Sequence, residues 1–285
     1  MILQTKVDFN KLKERISFND KIMTMGSCFS DEIGRRLSET GFDVLRNPFG
    51  TIYNPASIAR SAERLDSRLT FAGSDVVKTP CDGYTSFSHH SSFNRPDEEE
   101  FLSYANESLA KAADFYEKAG WVFLTFGTAW VFRHLERGII VSNCHKLPAS
   151  QFRREFLELE QCVALIEKTV SAHPEKNWIL TVSPVRHLAD GAHGNTSSKS
   201  TLMLAIDRIL KNRPNVFYFP AYEIVNDELR DYRFYEADMT HITSQAADYI
   251  FERFTDFAID DSCLGRMAAN VRENRRLSHR TIVKR

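Results

Sequence analysis

Short apolar runs alternate with longer stretches at helical spacing along most of this 285-residue chain. Lys21–Met25 is a short apolar run stopped by Gly26, the form of a buried strand. Phe29, Ile33 and Leu37 then recur at every fourth position and Gly41 follows, which predicts one helix face with a glycine stop. Phe42–Leu45 predicts a second strand, Asn47-Pro48-Phe49-Gly50 a loop, and Pro55–Leu65 a second helix. Residues 67–96 are irregular, with a short hairpin expected around Asp82-Gly83. Helical spacing returns over Pro96–Ala119, and Trp121–Phe126 is nearly all apolar, as in a strand covered on both faces. A hairpin with its tip at Glu136-Arg137-Gly138 is expected between Trp130–Arg133 and Ile139–Ser142. The remaining pattern predicts a long helix over Ser150–Ala172, a strand at Trp178–Val182 and a helix over Ser198–Lys211. A strand at Val216–Pro220 and a last helix over Thr243–Phe257 complete it.

Strands alternating with helices imply βαβ units. The expected fold is a three-layer α/β/α sandwich around a mostly parallel five-stranded sheet, with no internal repeat. One such unit is expected over residues 1–258, with an inserted hairpin at about 130–147, followed by a basic tail over 259–285. Composition changes this picture little: 42% hydrophobic and 26% charged residues suit a folded domain, and a net charge of -1 gives no footprint for nucleic acid. The chain shows no apolar run long enough to span a bilayer and no secretory leader pattern, so neither a membrane partner nor export is expected. Five cysteines without C-x-x-C spacing read as reduced thiols of a cytoplasmic protein. From Leu264 onward seven Lys/Arg face one Glu, which reads as a solvated terminus or, as an alternative, a contact for a partner.

In an open parallel sheet, ligands bind beyond the C-terminal strand ends. Ser27 follows the first strand, where its hydroxyl is a candidate nucleophile and its N–H, near a helix N-terminus, a candidate oxyanion donor. His241 is the candidate base, and Asp238, three residues earlier, the group that orients it. The competing reading of Asp238 and His241 is that they cap the helix starting near Thr243, and Ser27 has the same alternative at its own helix. Cys28 is a rival nucleophile, set against the reading of a small buried residue facing the sheet. His145, His187 and Arg186 fall on loops near the site and are candidate substrate-binding residues. His89, His90 and His193 lack tight ligand spacing, so no metal site is expected, and no dinucleotide fingerprint calls for a cofactor. Aromatic and acidic residues mixed from Tyr222 to Tyr235 suit a sugar ring or a docked helix.

Gly26-Ser27-Cys28-Phe29-Ser30 resembles the signature of the GSCFA family, and the blocks Asn47–Pro55, Phe126–Ala129, Asn143–Lys146, Ser183–His187 and Glu223–His241 agree with it. That family is similar to the SGNH/GDSL hydrolases, which implies a Ser27–His241–Asp238 site on a three-layer fold. The resemblance also implies that the Gly50 N–H joins Ser27 in the oxyanion hole. Ala129 stands where those hydrolases carry an oxyanion-donating Asn, so Thr128, Asn54 and Asn143 are the candidate replacements. The expected activity is a serine-dependent ester hydrolase acting on an acylated sugar or small ester. The alternatives are an O-acyltransferase and a degenerate carbohydrate-binding module.

Overall fold

The computed structural model describes residues 4–80 and 83–282. Cys81 and Asp82 lie outside the described residues, so the turn expected at Asp82-Gly83 falls there in part. Five strands form the central sheet: β1 (Lys21–Gly26), β2 (Asp43–Arg46), β5 (Trp121–Phe126), β9 (Asn177–Val182) and β10 (Val216–Tyr218). Two strands, β3 (Val76–Lys78) and β4 (Tyr84–Ser86), pair antiparallel beside it. Three more make a second small sheet: β6 (Trp130–His134), β7 (Ile139–Val141) and β8 (Phe152–Phe156).

All neighbours in the central sheet are parallel, in the order β10-β9-β5-β1-β2. The chain leaves β1 toward β2 on one side and reaches β5 on the other, so the strand order reverses at β1. Such a reversal opens a crevice at the C-terminal strand ends.

The helices are α1 (Cys28–Thr40), α2 (Pro55–Ser67), α3 (Glu98–Lys118), α4 (Leu159–Ser171) and α5 (Gly191–Leu210). They are followed by α6 (Ala221–Glu223, continuing as a π-helix over Ile224–Leu229), α7 (Ser244–Ala258) and α8 (Leu264–Ile282). Alternation along the strands divides the core. Met23, Met25, Leu124 and Leu180 pack with α2, α3, α4 and α5, whereas Ile22, Phe123 and Ile179 pack with α1, α6 and α7 on the opposite face. The three-layer α/β/α expectation is met. Its helices start where short polar side chains accept N–H groups: Ser27 for α1, Asn54 for α2, Asp97 for α3 and Thr243 for α7.

Three segments differ from expectation. α5 begins at Gly191, seven residues before the helix start expected at Ser198. Residues 150–158, read as the start of a long helix, instead form a 3-10 turn and β8, and α4 begins only at Leu159. Phe152 and Phe156 are four apart, a spacing that suits a helix face and a strand face equally. Pairing with β6 decides it, because Phe156 then packs edge-on to Trp130, and Phe152 to Phe132 and His134. The inserted hairpin is therefore one edge of a three-stranded sheet. The basic segment read as a solvated terminus is helical as α8. Its Met267 and Cys263 join the core, and Asn270 donates to the carbonyl of Thr40 at the end of α1.

Candidate active site

β1 ends in Gly26, at φ +141°, where a Cβ would lie 2.2 Å from the Thr125 carbonyl of the neighbouring strand. Only glycine brings the chain this close to β5 before turning into α1. Ser27 is extended, and its Oγ accepts the Phe29 N–H at 3.3 Å as the N-cap of α1. Its hydroxyl donates to Ser183 Oγ at 3.0 Å, and the residue is 1% exposed. The N-cap role turns this hydroxyl back under the β9 loop, and Ser27 lines neither of the two cavities at this sheet edge. Cys28, the first residue of α1, is half-buried and lines two adjoining cavities of about 480 and 240 Å³. The reading of Cys28 as a residue hidden against the sheet is corrected here.

His241 lines both of those cavities as well. Its loop is closed by Met239 in the left-handed region, at φ 56°, a conformation that costs a non-glycine residue energy and that recurs at functional loops. This bend folds Asp238 onto His241. Asp238 Oδ1 accepts the N–H groups of Thr240 and His241 at 2.8 and 3.0 Å, and Oδ2 pairs with His241 Nδ1 at 2.6 Å. The His241 side-chain bond, then the two backbone donors, hold the Asp238 carboxyl down to about 2. A carboxylate there makes Nδ1 the protonated nitrogen and leaves Nε2 an acceptor, with no partner among the described residues. Thr243, not this pair, caps α7, so the capping alternative for Asp238 and His241 falls. The loop is anchored to the β9 end, where the Arg186 N–H donates to the Thr240 carbonyl at 3.1 Å.

A GSCFA family model matches residues 21–254, most of the chain, and every segment just described lies inside it. The chain belongs to the GSCFA family. A search of curated proteins finds no match.

The rest of the GSCFA site is a set of loops at the same sheet edge. Asn54 lines the larger cavity. Its Oδ1 accepts the Ser57 N–H at 2.8 Å as the α2 cap, and its Nδ2 has no partner among the described residues. Asn143 also lines that cavity, with Oδ1 turned to the His145 N–H. Thr128 lines it too, but its N–H donates to Tyr53 O and its hydroxyl is engaged with Ser198. Ala129 is sealed, its N–H donating to Ser198 Oγ. Gly50 sits outside the cavity wall. Its N–H donates to Asn47 O at 2.7 Å, so the oxyanion role implied for it is already filled by a turn. Its glycine identity has another cause: φ is +74°, and a Cβ would collide with that of His90.

Among the expected substrate-binding residues, Arg186 and His187 line the larger cavity, whereas His145 is buried behind it with Nε2 on the Ser86 carbonyl. His187 Nε2 donates to Gly127 O at 3.1 Å, and burial, then the Lys199 ammonium, hold its pKa down to about 4. Lys199 went unnoticed in the sequence. It is fully buried on α5 and donates to the carbonyls of Gly127, Ser183 and Val185, at 2.7, 2.7 and 2.9 Å. Nothing in a helical S-K-S stretch distinguishes such a lysine from a surface one. His89 stacks on Phe93 in the core, and no cluster of three metal-ligating side chains occurs among the described residues. No described helix is long and apolar enough to cross a membrane.

Proposed function

We propose that this GSCFA protein is an acyl-ester hydrolase whose nucleophile is the thiol of Cys28. The observation that carries this reading is the division of the β1 turn: Cys28 shares its cavity walls with the Asp238-oriented imidazole of His241, while the Ser27 hydroxyl is sealed against Ser183. Similarity to the SGNH/GDSL hydrolases supports the architecture, with sulfur in place of the serine oxygen.

Burial pushes the Cys28 thiol above its ordinary value, and the Phe29 and Cys28 backbone N–H groups oppose this only in part. The resting group is then a thiol, so a base must take its proton as the bond forms. In the proposed reaction Sγ attacks the ester carbonyl, its proton passes to His241 Nε2, and the carbonyl oxygen becomes the oxyanion. The Cys28 N–H at the start of α1 and the free Nδ2 of Asn54 are the donors that face this charge. Collapse breaks the ester C–O bond, His241 returns the proton to the leaving alcohol, and a thioester remains on Cys28. Water activated by His241 then releases the acid. Transfer to a hydroxyl acceptor instead of water uses the same thioester. The walls beside Cys28 supplied by Trp130, Phe132 and Val141 give the acyl chain an apolar side.

Steady-state hydrolysis of a short nitrophenyl ester tests the assignment. Cys28→Ala and His241→Ala are each expected to lower kcat/KM by about 100-fold or more. Ser27→Ala is expected to retain most turnover and to lose about 1 kcal/mol of stability as a missing cap. Full loss in Ser27→Ala with activity kept in Cys28→Ala would restore the serine mechanism.

A further inference from the structure

Beside the two cavities at Cys28 lies a further cavity of about 320 Å³, walled in part by Arg186, Asn195, Tyr222, Asn226, Tyr232 and Tyr235. Its size is at the lower end of ligand pockets, roughly 300–1,000 Å³. Arg186 lines both this cavity and the one holding Cys28 and His241, so the two meet at its side chain.

The cavity is rich in uncommitted donors. Arg186 has one N–H on the Met239 carbonyl at 3.2 Å and lies over the Tyr235 ring at 5.5 Å, and no carboxylate pairs with it among the described residues. One carboxylate, Asp231, stands in the wall itself together with Arg230, and it is held by the Arg233 N–H at 2.9 Å and the Arg233 guanidinium at 3.9 Å. The acids around the cavity are engaged as well: Asp227 with Arg230, Glu223 with the Tyr218 hydroxyl, and Asp190 with Arg154. Asn195 uses Oδ1 for the His187 N–H, which leaves its amide N–H groups for the cavity. The hydroxyls of Tyr222 and Tyr235 have no partner among the described residues, and Tyr222 and Tyr235 offer ring surface beside them.

We propose that this cavity binds an oxyanion carried on a small hydroxylated ring, a sugar acid or a sugar phosphate. An unpaired guanidinium fork matches either oxyanion. Tyrosine rings and side-chain amides match the apolar face and hydroxyls of a sugar. Its role as the alcohol half of the ester rests on the hydrolase reading above, whereas binding of the anion does not.

Calorimetric titration of the Cys28→Ala protein with glucose, glucuronate and glucose 6-phosphate separates the two. At least one anionic sugar is expected to bind about 10-fold or more tightly than glucose, and the tighter of the two names the oxyanion. Arg186→Leu in the same background is expected to cut that advantage to about threefold or less, and Arg186→Lys, which keeps charge but not the fork, to fall between. Absence of binding, equal binding of glucose, or an advantage that survives Arg186→Leu in a protein with unchanged thermal unfolding would overturn the proposal. Anion binding as expected, in a wild-type protein that hydrolyses no ester, would support this site and retire the hydrolase reading alone.

Discussion

At the β1 turn, adjacent side chains divide a structural task from the chemical one proposed for Cys28. Ser27 fulfils the Phe29 N–H and pairs with Ser183, and Cys28 is thereby the first side chain free to face the crevice. The sequence did contain the clue: a serine directly before a helical pattern is an N-cap, and the residue after it begins the helix. Asp238 and His241 were legible because three-residue spacing lets a short bend join them. The left-handed Met239 that makes the bend was not, since nothing in methionine signals it. In the proposed mechanism Asn54 replaces the donor that Ala129 cannot supply, and this role can be separated from its capping of α2. Asn54→Ser keeps an acceptor for the Ser57 N–H while deleting the amide. It is expected to lower kcat by about 100- to 1,000-fold in ester hydrolysis, with little change in the thermal unfolding midpoint.

Elements place these residues through strand ends more than through helix faces. The inner strands β1, β5 and β9 were readable from nearly continuous apolar runs, because a strand covered on both sides has no polar face to blur it, whereas the edge strand β2 carries charged ends and is partly exposed. β8 was not, because FRREF satisfies both periodicities and only its partner β6 selects one. Lys199 joins elements in a manner local sequence does not show: from α5 it holds the carbonyls at the ends of β5 and β9, with Gly127 O shared with His187. Burial lowers this lysine to about 7. Lys199→Met fills the space but leaves buried carbonyls without that donor, at about 1–3 kcal/mol for each group left unsatisfied. The urea midpoint of this variant is expected to fall by an amount corresponding to about 3 kcal/mol or more.

Across the whole molecule, the buried His89 and His145 and the half-buried His187 tie stability to pH. Burial first, then neighbouring cations, lower His89 to about 3 and His187 to about 4, and burial lowers His145 as well, each from an ordinary 6.5. As pH falls below 6.5 the unfolded chain takes up protons at these positions and the folded chain does not, so the balance moves toward unfolding. Their stabilising contribution is complete above 6.5 and is lost progressively toward about 4. Urea midpoints measured from pH 7 to 4.5 are expected to fall steadily, and the fall is expected to be shallower in His187→Gln. A flat profile in the wild-type protein would contradict these burial effects. At this scale the sequence reading put its candidate residues at the C-terminal strand ends, and the observed strand order adds that a reversal beside β1 opens a crevice there. It did not foresee α8 on α1, since a basic helix with a few buried anchors such as Met267 is close in composition to a solvated tail.

The thioester on Cys28 is the species on which the account depends. Wild-type protein mixed with a short nitrophenyl ester, quenched in acid within the first turnovers and mapped by peptide mass spectrometry, is predicted to carry the acyl group on Cys28. An acyl group on Ser27, or steady turnover with no acylated Cys28 at any quench time, would contradict it.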